Sequence, residues 1–268
     1  MIEEILVLLA GLSIGSFLNV CISRLPKGIS VVTPPSHCPA CGKAIAWFDN
    51  IPVLSFLVLG GRCRRCRERI AWRYPVVELA SGLFWFLLWR AEGNTPAFWI
   101  AGIFCSLLLA ASVTDWETGL IPDSVTLLGI GVGLNASFFC PALQAQGAGW
   151  AAVLQSGIGM LTGGVLIYVT GAAGNWIFQR ELIQLQLEES MGGGDVKLLA
   201  MAGAFLGWEK VLLVFFTAPV LALPFALYGR WYKNEAVIPY GPFLSLAAGI
   251  QYFYGDLIWR SMILGGKI

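Results

Sequence analysis

Charge is scarce in this chain: only 12% of its residues are Asp, Glu, Lys or Arg, and histidine occurs once, at His37. A water-soluble globular domain carries about twice that fraction of charge, so a soluble fold is excluded. The lone histidine sits in the polar loop beside the cysteine pairs, which leaves no plausible Ser/His or Cys/His nucleophilic pair, and a single histidine cannot supply the two that His-x-x-x-His zinc enzymes need. No Walker lysine-serine pair and no G-x-G-x-x-G after a strand is present, so nucleotide-binding loops are absent as well. Internal repeats and low-complexity tracts are also missing.

What fills the chain is apolar residues, 57% of the 268, at a mean hydropathy of +0.73. Apolar runs near the length needed to cross a bilayer fall at about 2–22, 75–90, 98–114, 124–140, 150–172, 196–208, 211–229 and 239–259, the sixth being short. The expectation is an all-α polytopic membrane protein with about eight transmembrane helices. Glu3 and Glu4 stand where a secretory signal would carry positive charge, so the first run reads as a retained span. Basic residues set the orientation. Nine of the 17 Lys and Arg lie from Arg24 to Arg73. Placing that segment in the cytoplasm also puts Arg180, Lys197, Arg230 and Lys233 on that side, and leaves Arg90, Lys210, Arg260 and Lys267 outside. Both termini are then outside.

The segment 24–74 is the one polar domain, between a first span at 1–23 and a bundle over 75–268. It carries Cys38/Cys41 and Cys63/Cys66, two CxxC pairs separated by a loop of 21 residues. Two such turns facing each other complete a four-sulfur shell of the kind zinc prefers, closed and therefore structural. Two disulfides and a redox CxxC are the rivals. The first is disfavoured in a reducing cytoplasm, and the second lacks a βαβ context. His37 is surplus to the four sulfurs. Cys21, Cys105 and Cys140 sit in spans as small packing residues. The run "RCRRCRER" suits anionic lipid heads better than nucleic acid.

Three aspartates stand at span ends on one face. Asp115 follows a span, Asp123 precedes the next, and Asp195 follows "GGG" at the head of another. Ionised groups within spans cost about 2.5–3.5 kcal/mol and mark functional sites. Asp123 after Pro122 fits a helix cap for a helix starting at Ser124. Three glycines exceed what a cap needs, and leave room for another backbone beside Asp195. Paired carboxylates can share a proton, one acting as base toward water and the other as acid toward an amide. Glu181, Glu188 and Glu189 form either a solvated face or an attraction for a basic peptide. Gly129/Gly133 and Gly159/Gly163 have the spacing of close helix packing. "IPYGPF" reads as the start of the last helix rather than as part of a site.

The ordered set "GSFLNVCISRLP", "CPAC…DNIP…CRRC…YPVVEL", "DWETGLIPD", "GGGD" and "IPYGPF" resembles the type 4 prepilin peptidases, membrane aspartic peptidases of bacterial pilus and type II secretion systems that are often also N-methyltransferases. The resemblance implies that Asp115 and Asp195 are the catalytic pair, with Asp123, Gly192 and Gly194 in support. It also implies that prepilins or pseudopilins are cut at the cytoplasmic face of the inner membrane, and that S-adenosylmethionine is the methyl donor. An ion- or proton-coupled transporter and a zinc-stabilised scaffold without chemistry are the alternatives. A transporter would show inverted halves, which are not seen.

Overall fold

The computed structural model describes residues 1–140, 144, 149–184, 191–233 and 238–263. Among these residues there is no strand, and only two isolated bridges occur, His37 with Ala44 and Arg62 with Arg69. The chain divides into two compact units, Met1–Ala110 and Ala111–Ile268. The protein is a multi-pass helical membrane protein, as its composition requires.

In the first unit α1 (Ile2–Arg24) packs on α3 (Arg73–Glu92). Small residues let the backbones approach: a Cβ on Gly15 would lie 2.7 Å from the Glu78 Cα. The Ser81 hydroxyl donates to the Gly11 carbonyl at 2.8 Å, and the Asn19 side-chain amide donates to the Tyr74 carbonyl at 3.0 Å. Between these helices run a short 3-10 turn at Trp47–Asn50 and α2 (Leu54–Val58). The buried Glu78 carboxylate accepts the Val53 N–H at 2.7 Å. This bond holds a β-branched residue at φ 61, a conformation such residues adopt only under constraint.

α4 (Pro96–Thr118) contains the boundary between the units. The second unit continues with α5 (Asp123–Phe139), α6 (Gly149–Ile177), the short α7 (Gln179–Gln184), α8 (Gly193–Tyr228) and α9 (Gly241–Ile263). Among the described residues, four helical stretches are long and apolar enough to cross a membrane by length and composition: Ile2–Lys27, Pro96–Thr118, Gly149–Ile177 and Gly193–Trp231. The segments expected to span at 75–90, 124–140 and 239–259 are helical too, as α3, α5 and α9.

α8 is the centre of the second unit, packed by α5, α6 and α9. Its 36 residues would measure about 54 Å unbroken at 1.5 Å per residue, well beyond a hydrocarbon layer of about 30 Å. The helix breaks at Gly207, with φ 80 and ψ 170, near the end of the run expected at 196–208 and ahead of the one at 211–229. A break frees carbonyls that must be satisfied inside a bundle. Ser156 Oγ donates to the Ala204 carbonyl at 2.6 Å, and Gln144 Nε2 donates to Ala204 and Phe205 carbonyls at 3.3 and 3.2 Å. The small-residue spacing does what it signalled. A Cβ on Gly159 would strike the Gly203 carbonyl, and one on Gly163 the Leu199 carbonyl. On Gly133 it would lie 2.9 Å from Ala204 Cβ. Gly163→Val is therefore expected to cost about 1–3 kcal/mol through forced separation of α6 and α8. Gly157→Val, on the same helix with nothing within 4 Å, should be close to neutral. Thermal unfolding of the two detergent-solubilised variants compares them directly.

Candidate active site

Asp115 lies one turn before the end of α4, and its carbonyl accepts the Gly119 N–H at 2.8 Å as the helix closes. Its side chain is buried at 6% exposure. Gly241, the first residue of α9, donates its N–H to Asp115 Oδ2 at 2.9 Å. Asp195 occupies the first turn of α8, where an acidic side chain is favoured by the helix's unpaired N–H groups. Its N–H donates to the carbonyl of the N-cap residue Gly192 at 3.0 Å. The two carboxylates are within electrostatic reach of one another, although 80 positions separate them in sequence. Tyr240, half-buried, is within electrostatic reach of Asp195. Two carboxylates close enough to interact electrostatically, one of them buried, can share a proton.

The three glycines divide their work. Gly193 has nothing within 4 Å, and Gly192 faces the Asp195 carboxylate, 3.7 Å from a Cβ built there. Gly194 packs against Ile121, whose Cβ would lie 3.0 Å from the added carbon. Open room beside Asp195 thus belongs to Gly192 and Gly193. Gly194 serves the close approach of α8 to the turn between α4 and α5.

Asp123 corrects the sequence reading. It is the first residue of α5, the N-cap is Pro122, and no side-chain cap bond forms. Its exposed carboxylate instead pairs with Lys197 Nζ at 2.6 Å, tying the start of α5 to the start of α8 two residues past Asp195. "IPYGPF" is the other correction. It does start the last helix, but Tyr240 and Gly241 also reach the two aspartates. A backbone N–H donor has no signature in sequence, so nothing there set Gly241 apart from other glycines. Glu188, Glu189 and the side chain of Glu181 lie outside the described residues.

In the first unit Cys38, Cys41, Cys63 and Cys66 form one cluster, with all four sulfurs within 4.8 Å of one another. Cys38 and Cys66 Sγ are 3.8 Å apart, the separation of about 3.8 Å that two sulfurs take on a tetrahedral ion bound at about 2.3 Å. Disulfide sulfurs would stand about 2.05 Å apart, and all four thiols are free. The donors fit a metal ion such as zinc. The two knuckles are built alike. The Cys38 carbonyl accepts the Gly42 N–H at 2.8 Å and its N–H donates to Lys43. Cys63 does the same with Arg67 and Glu68, the Arg67 N–H lying at 3.0 Å. Each knuckle needs a left-handed residue, Gly42 at φ 67 and Arg67 at φ 62. Backbone N–H groups of Cys66 and Arg65 hold the Cys63 thiol down to about 6, which favours the thiolate a metal binds. His37 turns away from the cluster, its Nδ1 3.2 Å from the Pro35 carbonyl. Arg64 clamps Asp49 through Nε and Nη2, the shortest contact being 2.6 Å, and holds that carboxyl below its usual range.

Known proteins match both parts of the chain. The family described as Bacterial Peptidase A24 N-terminal domain matches residues 9–91, and the Type IV leader peptidase family matches residues 102–227. Prepilin leader peptidase/N-methyltransferase of Burkholderia pseudomallei strain 1026b is 33% identical over 284 aligned positions, covering 96% of this chain and 86% of the relative. The protein of the same name in Pseudomonas aeruginosa is 34% identical, covering 96% of this chain and 92% of the relative. The Klebsiella pneumoniae one is 38% identical, covering 76% and 85%. No solved structure matches the chain.

Proposed function

The chain belongs to the type IV leader peptidase family, and from that premise we propose that it is a membrane aspartic endopeptidase. It removes the basic leader from prepilins or type II secretion pseudopilins and N-methylates the new N-terminus. The observation that carries the proposal is the convergence of Asp115 and Asp195 at the end of α4 and the start of α8, with their charges in mutual reach.

The chemistry follows from one proton shared by two carboxylates. The ionised aspartate takes a proton from water, whose oxygen attacks the scissile carbonyl carbon. The protonated aspartate gives its proton to the departing amide nitrogen, the C–N bond breaks, and the pair ends with the proton exchanged. The substrate is itself a membrane helix, so the scissile bond and Asp195 lie at one depth. The open space at Gly193 admits its backbone. The basic-residue distribution supports a bacterial inner-membrane protein whose aspartates and loop 24–74 face the cytoplasm, with eight spans once α8 is counted as two around Gly207. By role the chain has a first span at 1–23, a metal-holding loop domain at 24–74 and a peptidase bundle at 75–268. These divisions do not coincide with the compact units, whose boundary falls inside α4.

Zinc on Cys38, Cys41, Cys63 and Cys66 would be structural, since four protein ligands leave no open position. The methyl donor of the second activity is S-adenosylmethionine. Incubating detergent-purified protein with a prepilin, with and without S-adenosylmethionine, tests both activities. The expected products are pilin shortened by its leader, and with the donor the same pilin one methyl heavier. Intact prepilin in both samples would contradict the reading. Reporter fusions after Arg65 should report cytoplasm. A periplasmic signal there would overturn the orientation.

A further inference from the structure

We propose that Gly241 is a positioning residue for Asp115: its N–H fixes one carboxylate oxygen, and its missing side chain leaves the space that the carboxylate occupies. The inference rests on the peptidase reading of Asp115 given above.

Two observations on one residue carry it. The Gly241 N–H donates to Asp115 Oδ2 at 2.9 Å, 126 positions away in sequence. A Cβ built on Gly241 would lie 2.8 Å from that same oxygen and 3.1 Å from the Asp115 Cβ and Cγ. Real Cβ atoms do not approach oxygen that closely, so alanine displaces the carboxyl group and lengthens the bond that orients it. Gly241 has no left-handed φ, so a positive backbone angle is not what calls for glycine here. Alanine before Pro242 carries its own steric cost at the start of α9, and that cost does not depend on the Asp115 carboxyl group. Gly249 supplies the contrast on the same helix, with nothing within 4 Å of its added Cβ. Tyr240, the preceding residue, comes within electrostatic reach of Asp195. The start of α9 thereby lies in electrostatic reach of Asp195 and bonds Asp115.

The test compares Gly241→Ala with Gly249→Ala in the full-length, detergent-purified protein acting on a prepilin. Misplacing a reacting group by a fraction of an ångström to one ångström costs up to about 100-fold. Gly241→Ala should accordingly lower kcat by about 10- to 100-fold with KM within about twofold, the pattern of a lost transition-state contact. Gly249→Ala should cleave at the wild-type rate. Wild-type kcat in Gly241→Ala would overturn the assignment while leaving the peptidase intact. A double-mutant cycle on thermal stability reads the contact without any cleavage. Gly241→Ala should lower Tm beside Asp115, and part of that cost should vanish in an Asp115→Ala background, where no carboxyl group remains to displace. If Gly241→Ala alone fails to accumulate, the double variant should accumulate. An equal fall in Tm in both backgrounds, or failure of both to accumulate, would make Gly241 a helix-start residue only and sink the proposal. Loss of the peptidase reading would show instead as an inactive wild-type protein with the cycle intact.

Discussion

Asp195→Asn is expected to lower kcat/KM for leader cleavage by about 10²- to 10⁴-fold, the range that a positioned general acid or base contributes. Asp115→Asn should do the same. Asparagine keeps the shape of aspartate and can still accept the Gly241 N–H that now meets Asp115 Oδ2, so the loss should come from the missing titratable oxygen rather than from misfolding. An unchanged Tm would confirm that both variants remain folded. The two losses should not add. A base without its partner acid cannot complete the reaction, so the double variant should be little worse than either single one. Asp123→Asn sets the scale for a bystander. It breaks an exposed pair with Lys197, and such pairs contribute about 0–1 kcal/mol, so measurable cleavage should persist. An Asp123 variant as inactive as Asp195→Asn would move Asp123 into the chemistry.

Replacing Cys38 and Cys63 together should remove the metal and disorder the loop while leaving the helical spans inserted. One ligand from each knuckle is lost, and the remaining two cannot close a tetrahedral shell. Structural zinc in small modules binds with about 10–16 kcal/mol of apparent free energy, far more than the short bridges at Ala44 and Arg69 can replace. Elemental analysis should give about one zinc per wild-type chain and none in the variant. Hydrogen exchange should rise over 36–45 and 61–70. The ligands bind as thiolates, and backbone N–H bonds favour the thiolate at Cys63. Metal affinity is therefore expected to weaken as pH falls, because protons compete for the sulfurs. Wild-type protein without metal, or cysteines that resist alkylation until reduced, would contradict the cluster.

How much of this was legible in the residues depended on whether the cause was local. The CxxC pairs announce a four-sulfur shell because two-residue spacing already forms each knuckle. That both knuckles need a left-handed fifth residue was visible only at Gly42. Arg67 adopts the same conformation without any compositional sign. Gly159 and Gly163 were readable because small residues one turn apart mean backbone contact, although their partners, the carbonyls of Gly203 and Leu199, were not. The break at Gly207 falls one residue before the end expected for the run 196–208. The donors that satisfy its broken helix, Ser156 and Gln144, come from elsewhere in the chain. Asp123 looked like a cap because a Pro-Asp start suits one, and a long-range lysine captured it instead. Gly241 was missed for the opposite reason, since its role rests on an N–H and an empty space, and neither is a side chain. Without the family resemblance, which implies Asp115 and Asp195, the proposed pair was legible only as three acidic residues at span ends. Which two meet depends on how α4 and α8 are brought together.

Joint cutting of the leader by Asp115 and Asp195 at the membrane is read most directly from the mass of one prepilin after incubation with wild-type protein and, side by side, with Asp195→Asn at equal concentration in the same membrane lipids. The wild type should convert the prepilin completely to leaderless pilin, and the variant should leave it intact. Substantial leaderless pilin from Asp195→Asn would contradict joint cutting.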